Sequence, residues 1–353
     1  MADTRTAPGS YQQTARPKFY IDLLHYLKTK GMLHLYSAWY NQFFNLNPVN
    51  IKSTDTGTTG TIVESRVFAD ILTTYGWVEA VQYCAVLGHN LFSNGIRFRL
   101  TCAYYGGTDA KPLNFYEGSA VNGEIDGQWV TPGADGYTIA ELPTSDTGTG
   151  ESNYDDSAQK ARLSVRFNDA SNSNTHSIPF KLGDVSVGCT YTMPTSADVS
   201  LTQRFVNEST KKVMTSGGNT ITNSKWGRPP KWIMPAWELS DDGENVWKKG
   251  MFPNGRRQWD LSFSFFDRTK LLQEDLFSSR GIMLMSGELP IGIHDNFYSK
   301  VVVPTNNFQL PFIFQPDSTI QEYAIAEILQ NSFEGNQVAP GLFSTNLTIS
   351  ECW

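Results

Sequence analysis

Residues 85–100 read Ala-Val-Leu-Gly-His-Asn-Leu-Phe-Ser-Asn-Gly-Ile-Arg-Phe-Arg-Leu, AVLGHNLFSNGIRFRL. Two apolar runs with strand character meet here around one polar break, so the reading of this stretch decides the fold class. After the break, Ile96, Phe98 and Leu100 alternate with Arg97, Arg99 and Thr101. A period of two means a strand with one buried face and one wet, here basic, face. Before the break, an apolar run from Val78 ends at Leu87. Gly88 permits a positive φ and Asn90 favours bonding between its side chain and nearby backbone. His89 raises the question of chemistry, because a catalytic or metal-binding histidine needs partners. No second histidine stands at i+2 to i+4, and the nearest acid in sequence is Glu79. Gly88, His89 and Asn90 therefore read as a structural turn, anchored by Leu87 and Leu91.

The same alternation recurs further along the chain. Leu163, Val165 and Phe167 alternate with Arg162, Ser164 and Arg166. Val185, Val187, Cys189, Tyr191 and Met193 alternate with Ser186, Gly188, Thr190 and Thr192. Trp259, Leu261, Phe263 and Phe265 alternate with Asp260, Ser262 and Ser264, and Phe308, Leu310, Phe312 and Phe314 repeat the pattern. Aromatic residues make up 13% of the 353, and 29 Gly with 17 Pro supply turns, which favours strands throughout. The fold class expected is mostly β: an antiparallel sandwich over 51–205 with long polar loops, then a second β-rich unit over 206–353.

Ahead of the sandwich, 1–17 reads as a flexible arm and 18–50 as a helical, aromatic docking segment. Tyr20, Leu23, Leu24 and Leu27 follow the i, i+3, i+4, i+7 stripe of an amphipathic helix. Lys28 and Lys30 suit its C-terminal dipole and Gly31 its stop. Phe19, Tyr20, Trp39, Tyr40, Phe43 and Phe44 concentrate large rings outside the sandwich, and make this segment a candidate contact surface for repeated subunits. Residues 106–160, rich in Gly, Asp, Thr and Ser, read as polar excursions, and 207–225 as another polar stretch.

Other chemistry finds little footing. The formal charge is −7, and paired lysines or arginines such as Lys211-Lys212 are too short to track a phosphate backbone, so no nucleic-acid partner is expected. No apolar run approaches 18 residues, so no membrane insertion is expected. The four cysteines lack C-x-x-C spacing and lie in strand-like segments, as buried thiols do. No G-x-S-x-G, Walker or H-E-x-x-H motif occurs. Asp155-Asp156 reads as a solvated loop and Asp241-Asp242-Gly243 as a hairpin turn. No catalytic residue, metal or cofactor is expected. Trp226, Trp232, Trp237, Trp247 and Trp259 suit a core or interface, with a sugar-stacking platform as the rival reading.

Four segments in order carry a family resemblance: WVEAVQYCAVLGHNLFSNGIRFRL from 77, GRRQWDLSFSFFDRTKLL from 255, LPFIFQPDS from 310 and LFSTNLTISECW from 342. They resemble virion proteins of tailed bacteriophages, with a Trp, an apolar strand, the G-H-N-L turn, an arginine-alternating strand, and later strands closing the chain. The resemblance implies a galactose-binding-type or jelly-roll-like sandwich in a tail or tail-tip (baseplate) component. It implies other copies of the chain and other virion proteins as partners, with assembly in the bacterial host's cytoplasm and residence in the virion. It carries over no catalytic residue. The alternatives are a carbohydrate-binding or host-recognition module that takes surface glycans, and a glycan-degrading enzyme.

Overall fold

The computed structural model describes residues 16–35, 40–48, 52–53, 66–71, 81–104, 111–112, 119–126, 129–142, 161–169, 180–198, 202–206, 210–224, 256–271 and 295–352. In chain order the strands are β1 (Lys18–Asp22), β2 (Leu33–His34), β3 (Lys52–Ser53), β4 (Arg66–Ile71), β5 (Tyr83–Leu87), β6 (Ile96–Tyr104), β7 (Lys111–Pro112) and β8 (Ser119–Val121). Then come β9 (Gly123–Asp126), β10 (Trp129–Pro132), β11 (Tyr137–Glu141), β12 (Ala161–Asp169), β13 (Lys181–Leu182), β14 (Asp184–Thr192) and β15 (Thr202–Val206). The rest are β16 (Thr210–Met214), β17 (Thr220–Ser224), β18 (Arg256–Asp267), β19 (Phe312–Gln315), β20 (Ala324–Ile328), β21 (Asn336–Ala339) and β22 (Leu342–Glu351).

Two antiparallel sheets dominate. The larger runs β15-β18-β22-β20-β19-β1-β14-β5-β11-β8, with β21 on β22, and the smaller runs β2-β4-β12-β6-β10-β9, with β7 on β6. Cys84, Val86, Val185 and Val187 of the first pack in one apolar cluster with Phe98, Leu100, Leu163, Val165 and Phe167 of the second. The molecule is thus mostly β and built as a sandwich, as the alternation at 96–100 implies. The break at 88–95 carries the chain from β5 in one sheet to β6 in the other.

The N-terminal segment departs from expectation. Residues 18–22 form a strand, and it lies inside the large sheet: β1 pairs β14 from Lys18↔Thr192 to Asp22↔Gly188, and β19 from Lys18↔Gln315 to Tyr20↔Ile313. Phe19 and Ile21 enter the inter-sheet core while Tyr20 points to the other face. Two backbone ladders and two buried faces outweigh the helical spacing of Tyr20. The helix α1 starts one residue later, at Leu23, and runs to Thr29. The Asp22 carboxylate caps it, accepting the His25 N–H at 3.0 Å. Lys28 sits in its last turn and Gly31 follows at φ +70°. Where β1 meets β14, Gly188 faces the β1 backbone, and a Cβ there would strike the Ile21 carbonyl oxygen.

The large sheet also has a second core. Strand β14 is buried on both faces from Asp184 to Cys189, so Ser186 and Gly188 of its polar set do not meet solvent, while Thr192 at its end does. The sheet curls. β11 and β20 stand five places apart in its order, about 24 Å in a flat sheet at ~4.8 Å per strand, yet the Tyr137 and Tyr323 rings lie 6.1 Å apart. Lys18 of β1 reaches Glu141 of β11 at 2.6 Å across two intervening strands. Inside the curl, Tyr20, Tyr83, Tyr137, Ile139, Ile313, Tyr323 and Ile325 pack together. Strand twist makes such curling natural once one face carries enough apolar surface.

Three further expectations change. The boundary near 205 does not divide the fold, since β15 pairs β18 and β1 stands between β14 and β19. The excursion at 106–160 contains β7 to β11, and Val121, Val130, Tyr137 and Ile139 are buried. Its apolar residues are few but fall at strand spacing. Finally, the alternation of β18 breaks at a bulge between Phe263 and Phe266, which buries Phe266 and turns Phe265 outward at φ +63°. Asp267 precedes a short helix, α2 (Arg268–Leu271); Asp155, Asp156 and 241–243 lie outside the described residues.

Candidate interaction surfaces

The corner at 88–90 is a structural joint. Gly88 has φ +62°, and a Cβ there would meet the Pro48 carbonyl oxygen at 2.9 Å. His89 is fully buried; its N–H donates to Gly136 O at 2.9 Å and its Nε2 lies 3.2 Å from Thr138 Oγ1. Thr138 Oγ1 donates its proton to Asn122 O, so the imidazole is the donor in that contact. Burial pushes the His89 pKa down to about 3, leaving a neutral ring. Asn90 pairs with Lys181, donating its N–H to Lys181 O and accepting the Lys181 N–H at 2.7 Å on Oδ1. The three residues tie β5 to β11 and β13 and hold the crossing between sheets.

The aromatic segment is not a surface. Phe19, Tyr20, Phe43 and Phe44 are all buried within their own chain, so none has a ring face to offer a second subunit. Trp39 lies outside the described residues, and Tyr40 begins a short 3-10 turn, Tyr40–Gln42. What holds this segment is Asp184, which sequence reasoning passed over. Its carboxylate accepts the N–H groups of Phe44 (2.9 Å), Asn47 (2.7 Å) and Val185 (2.7 Å). Burial pushes its carboxyl above the usual range, while Lys52 and those N–H groups pull it back. Lys28 donates to Asn41 O and Phe43 O, both at 2.8 Å. The clue was an acid at the head of a strand whose odd positions are all apolar.

The outer face of the smaller sheet is more crowded than wet. Arg97, Arg99 and Arg166 do point away from Ile96, Phe98 and Val165, as the alternation predicts. Arg166 stands opposite both Arg66 and Arg99 in register. Trp129 of β10 takes Arg99 over its ring at 4.5 Å and Arg97 at 5.8 Å, and Arg97 also reaches Asp126 at 3.6 Å. Thr101, Ser164 and Asn168 on this face are buried. The Arg162 side chain lies outside the described set.

The exposed apolar groups lie elsewhere. β16 and β17 form a separate two-stranded ribbon that pairs with no other strand among the described residues. Val213 and Ile221 face each other across it and are 57% and 59% exposed; Met214 is 73% exposed. Its tip is well made, with Thr215 N–H donating to Asn219 O at 2.8 Å and Gly218 N–H to Thr215 O at 2.9 Å. Another place is the bulged end of β18, where Phe265 is 66% exposed, with the edge strand β21 across β22 from it, where Val338 is 50% exposed. The polar composition of 207–225 concealed the ribbon, although Val213 and Ile221 each stand four residues from Gly217.

Among the described residues no group of three or more His, Cys, Asp or Glu is placed to hold a metal, and no helix is long and apolar enough to cross a membrane. Cys84 and Cys189 are buried free thiols and Cys352 is half-buried and free. Trp259, the one member of the 226–259 tryptophan group among the described residues, is buried against Phe314 and offers no ring to a sugar. Set against family models, curated proteins and solved structures, the chain matches none.

Proposed function

We propose that this chain is a structural component of a bacteriophage virion, in its tail or tail tip, and that it works by protein–protein assembly. The observation that carries the reading is the β16–β17 ribbon. A two-stranded ribbon alone in water is marginal, and this one shows exposed apolar side chains on both faces and pairs with no other strand among the described residues. Such a device gains its stability when a partner covers it. The four segments that resemble phage virion proteins support the reading too, since they fall on β5–β6, β18, β19 and β22. Under this reading the chain is made in the bacterial cytoplasm, joins other virion proteins there, and leaves the cell as part of the particle.

Mass spectrometry of purified virions from a host producing this chain tests the reading. The expected result is a stoichiometric presence, with electron microscopy giving its position and symmetry. A chain absent from the particle, yet abundant in the lysate, overturns it.

A further inference from the structure

On the outer face of the smaller sheet one row of residues crosses from β4 to β9. Register sets Arg66 of β4 opposite Arg166 of β12, and Arg166 opposite Arg99 of β6. Val130 pairs Phe98, which puts Trp129 of β10 opposite Arg99 one step along, and Trp129 pairs Asp126 of β9. Like charges directly opposite one another in a sheet are destabilising, so three arginines at successive places call for a counter-charge. The acids of this face are already matched elsewhere. Asp70 stands opposite Arg162, and Asp126 reaches Arg97 at 3.6 Å. Glu124 stands opposite Thr131 on the edge strand, outside the row.

Arg99 shows the want most plainly. It makes no hydrogen bond or ion pair among the described residues, and its Nε is buried without an acceptor. Its guanidinium lies over the Trp129 ring at 4.5 Å. Burial lowers its pKa, and no carboxylate opposes that shift. A ring stacked on a guanidinium fixes the plane of a fork whose N–H donors here are unused. Such a fork matches a carboxylate, which accepts two parallel bonds from it.

We infer that this row receives an acidic segment of a partner protein, with an Asp or Glu carboxylate seated between Arg99 and Arg166. The proposal rests on the assembly reading above and names the chemistry of one contact. Charge complementarity carries it, since the three arginines have no acid of their own between them among the described residues. An acidic sugar fits less well. Thr101, Ser164 and Asn168, the groups of this face able to read hydroxyls, are buried, and Arg99 already lies over the Trp129 ring on which a sugar would stack. A row of three cations is also too short to track a nucleic-acid backbone.

Calorimetric titration of the full chain with a capped hexaglutamate peptide at low salt tests this. The wild type should bind, and more weakly as sodium chloride is added. Arg99→Gln and Arg166→Gln should each weaken binding at least about tenfold, the scale of one charge-assisted pair. Arg268→Gln, which removes an exposed cation elsewhere, should leave it unchanged. Each row variant removes one of two opposed like charges, so circular dichroism should show both folded; if one is not, the other carries the test. No binding, or equal binding by wild type and row variants, would overturn the proposal. So would inorganic phosphate or glucuronate binding more tightly than the peptide and losing that affinity in Arg99→Gln, which would assign the row to a phosphate or a sugar acid. None of these results touches the virion reading, because that is read from the particle.

Discussion

β1 and β16 are both five-residue strands, and they stand at the extremes of what a strand can experience. β1 has a partner on each edge and a core on each face: Phe19 and Ile21 in one, Tyr20 in the other. Among the described residues β16 has one partner, β17, and both faces open. Neither alternates cleanly, β1 reading Lys-Phe-Tyr-Ile-Asp and β16 Thr-Lys-Lys-Val-Met. What separates them is what is packed against them, and that sets how each responds to substitution.

The largest effect should come at β1. Gly188→Ala places a methyl group on the Ile21 carbonyl oxygen, a backbone atom that gives way only if the β1–β14 ladder parts. A loss of about 3 kcal/mol or more is expected, above the ordinary cost of overpacking, read as a lower denaturation midpoint in urea. Deleting residues 18–45 should abolish the fold outright by circular dichroism. A truncated chain that kept its β signal would mean that β14 and β19 can close up without β1.

Next comes the charge buried at the end of β1. Asp22 is buried, with one carboxylate oxygen capping α1. Burial raises its pKa from 3.8 to about 7, the His25 N–H opposes this, and the Asp184 carboxylate adds to it. A raised acid prefers its proton in the folded state. Its contribution is therefore complete below about pH 4 and is lost as pH rises through about 7. His25 tilts the other way, because burial lowers its pKa to about 4, so the wild-type curve sums opposing slopes. The Asp22→Asn variant isolates one of them. Asparagine caps a helix as well as aspartate does, and the variant should gain on the wild type between pH 4 and 7, by on the order of 4 kcal/mol at full ionisation. Parallel stability curves for the two proteins would show that Asp22 is ionised at no cost.

The corner at His89 should respond less. His89→Ala removes a buried side-chain hydrogen bond and leaves a small void, for an expected loss of roughly 1–3 kcal/mol at pH 7. A histidine with a lowered pKa contributes fully above about 6.5 and loses that contribution as pH falls toward 3. The gap between wild type and variant should thus narrow in acid. A gap that widened would place a charged partner beside the ring.

How much of this was legible depended on whether a segment's neighbours were also its neighbours in sequence. The alternation at 96–100 and 161–167 revealed β6 and β12, because each needs only one buried face. It said nothing of the curl, so Ser186 and Gly188 read as solvent-facing when they line a second interior. A bulge adds one residue without a mark in composition, and Phe265 was read on the wrong side for that reason. Asp184 holds the 43–47 segment from some 140 positions away, a pairing that spacing cannot reveal. Phe19 and Phe43 read as surface because a ring-rich segment outside the expected sandwich had no visible place to go. For Phe19 the sheet opened that place between β14 and β19.

The smallest effect on stability should come from the ribbon, and that is where the comparison with β1 is sharpest. Ile21→Thr in β1 would put a hydroxyl into a sealed core, whereas Ile221→Thr changes a side chain already 59% exposed. Threonine keeps the β-branched shape that suits a strand, so the ribbon should persist and the unfolding free energy should move by less than about 0.5 kcal/mol. The same holds for Val213→Thr, its cross-strand partner. If the ribbon only decorates the surface, the double variant should be indistinguishable from wild type in every solution measurement. If it is a docking arm, stability stays put while association falls, since Val213 and Ile221 supply the apolar area that a partner would cover. Urea denaturation and sedimentation velocity on the same samples separate these outcomes. A double variant that lost stability and association together would show that the ribbon is packed in its own chain after all.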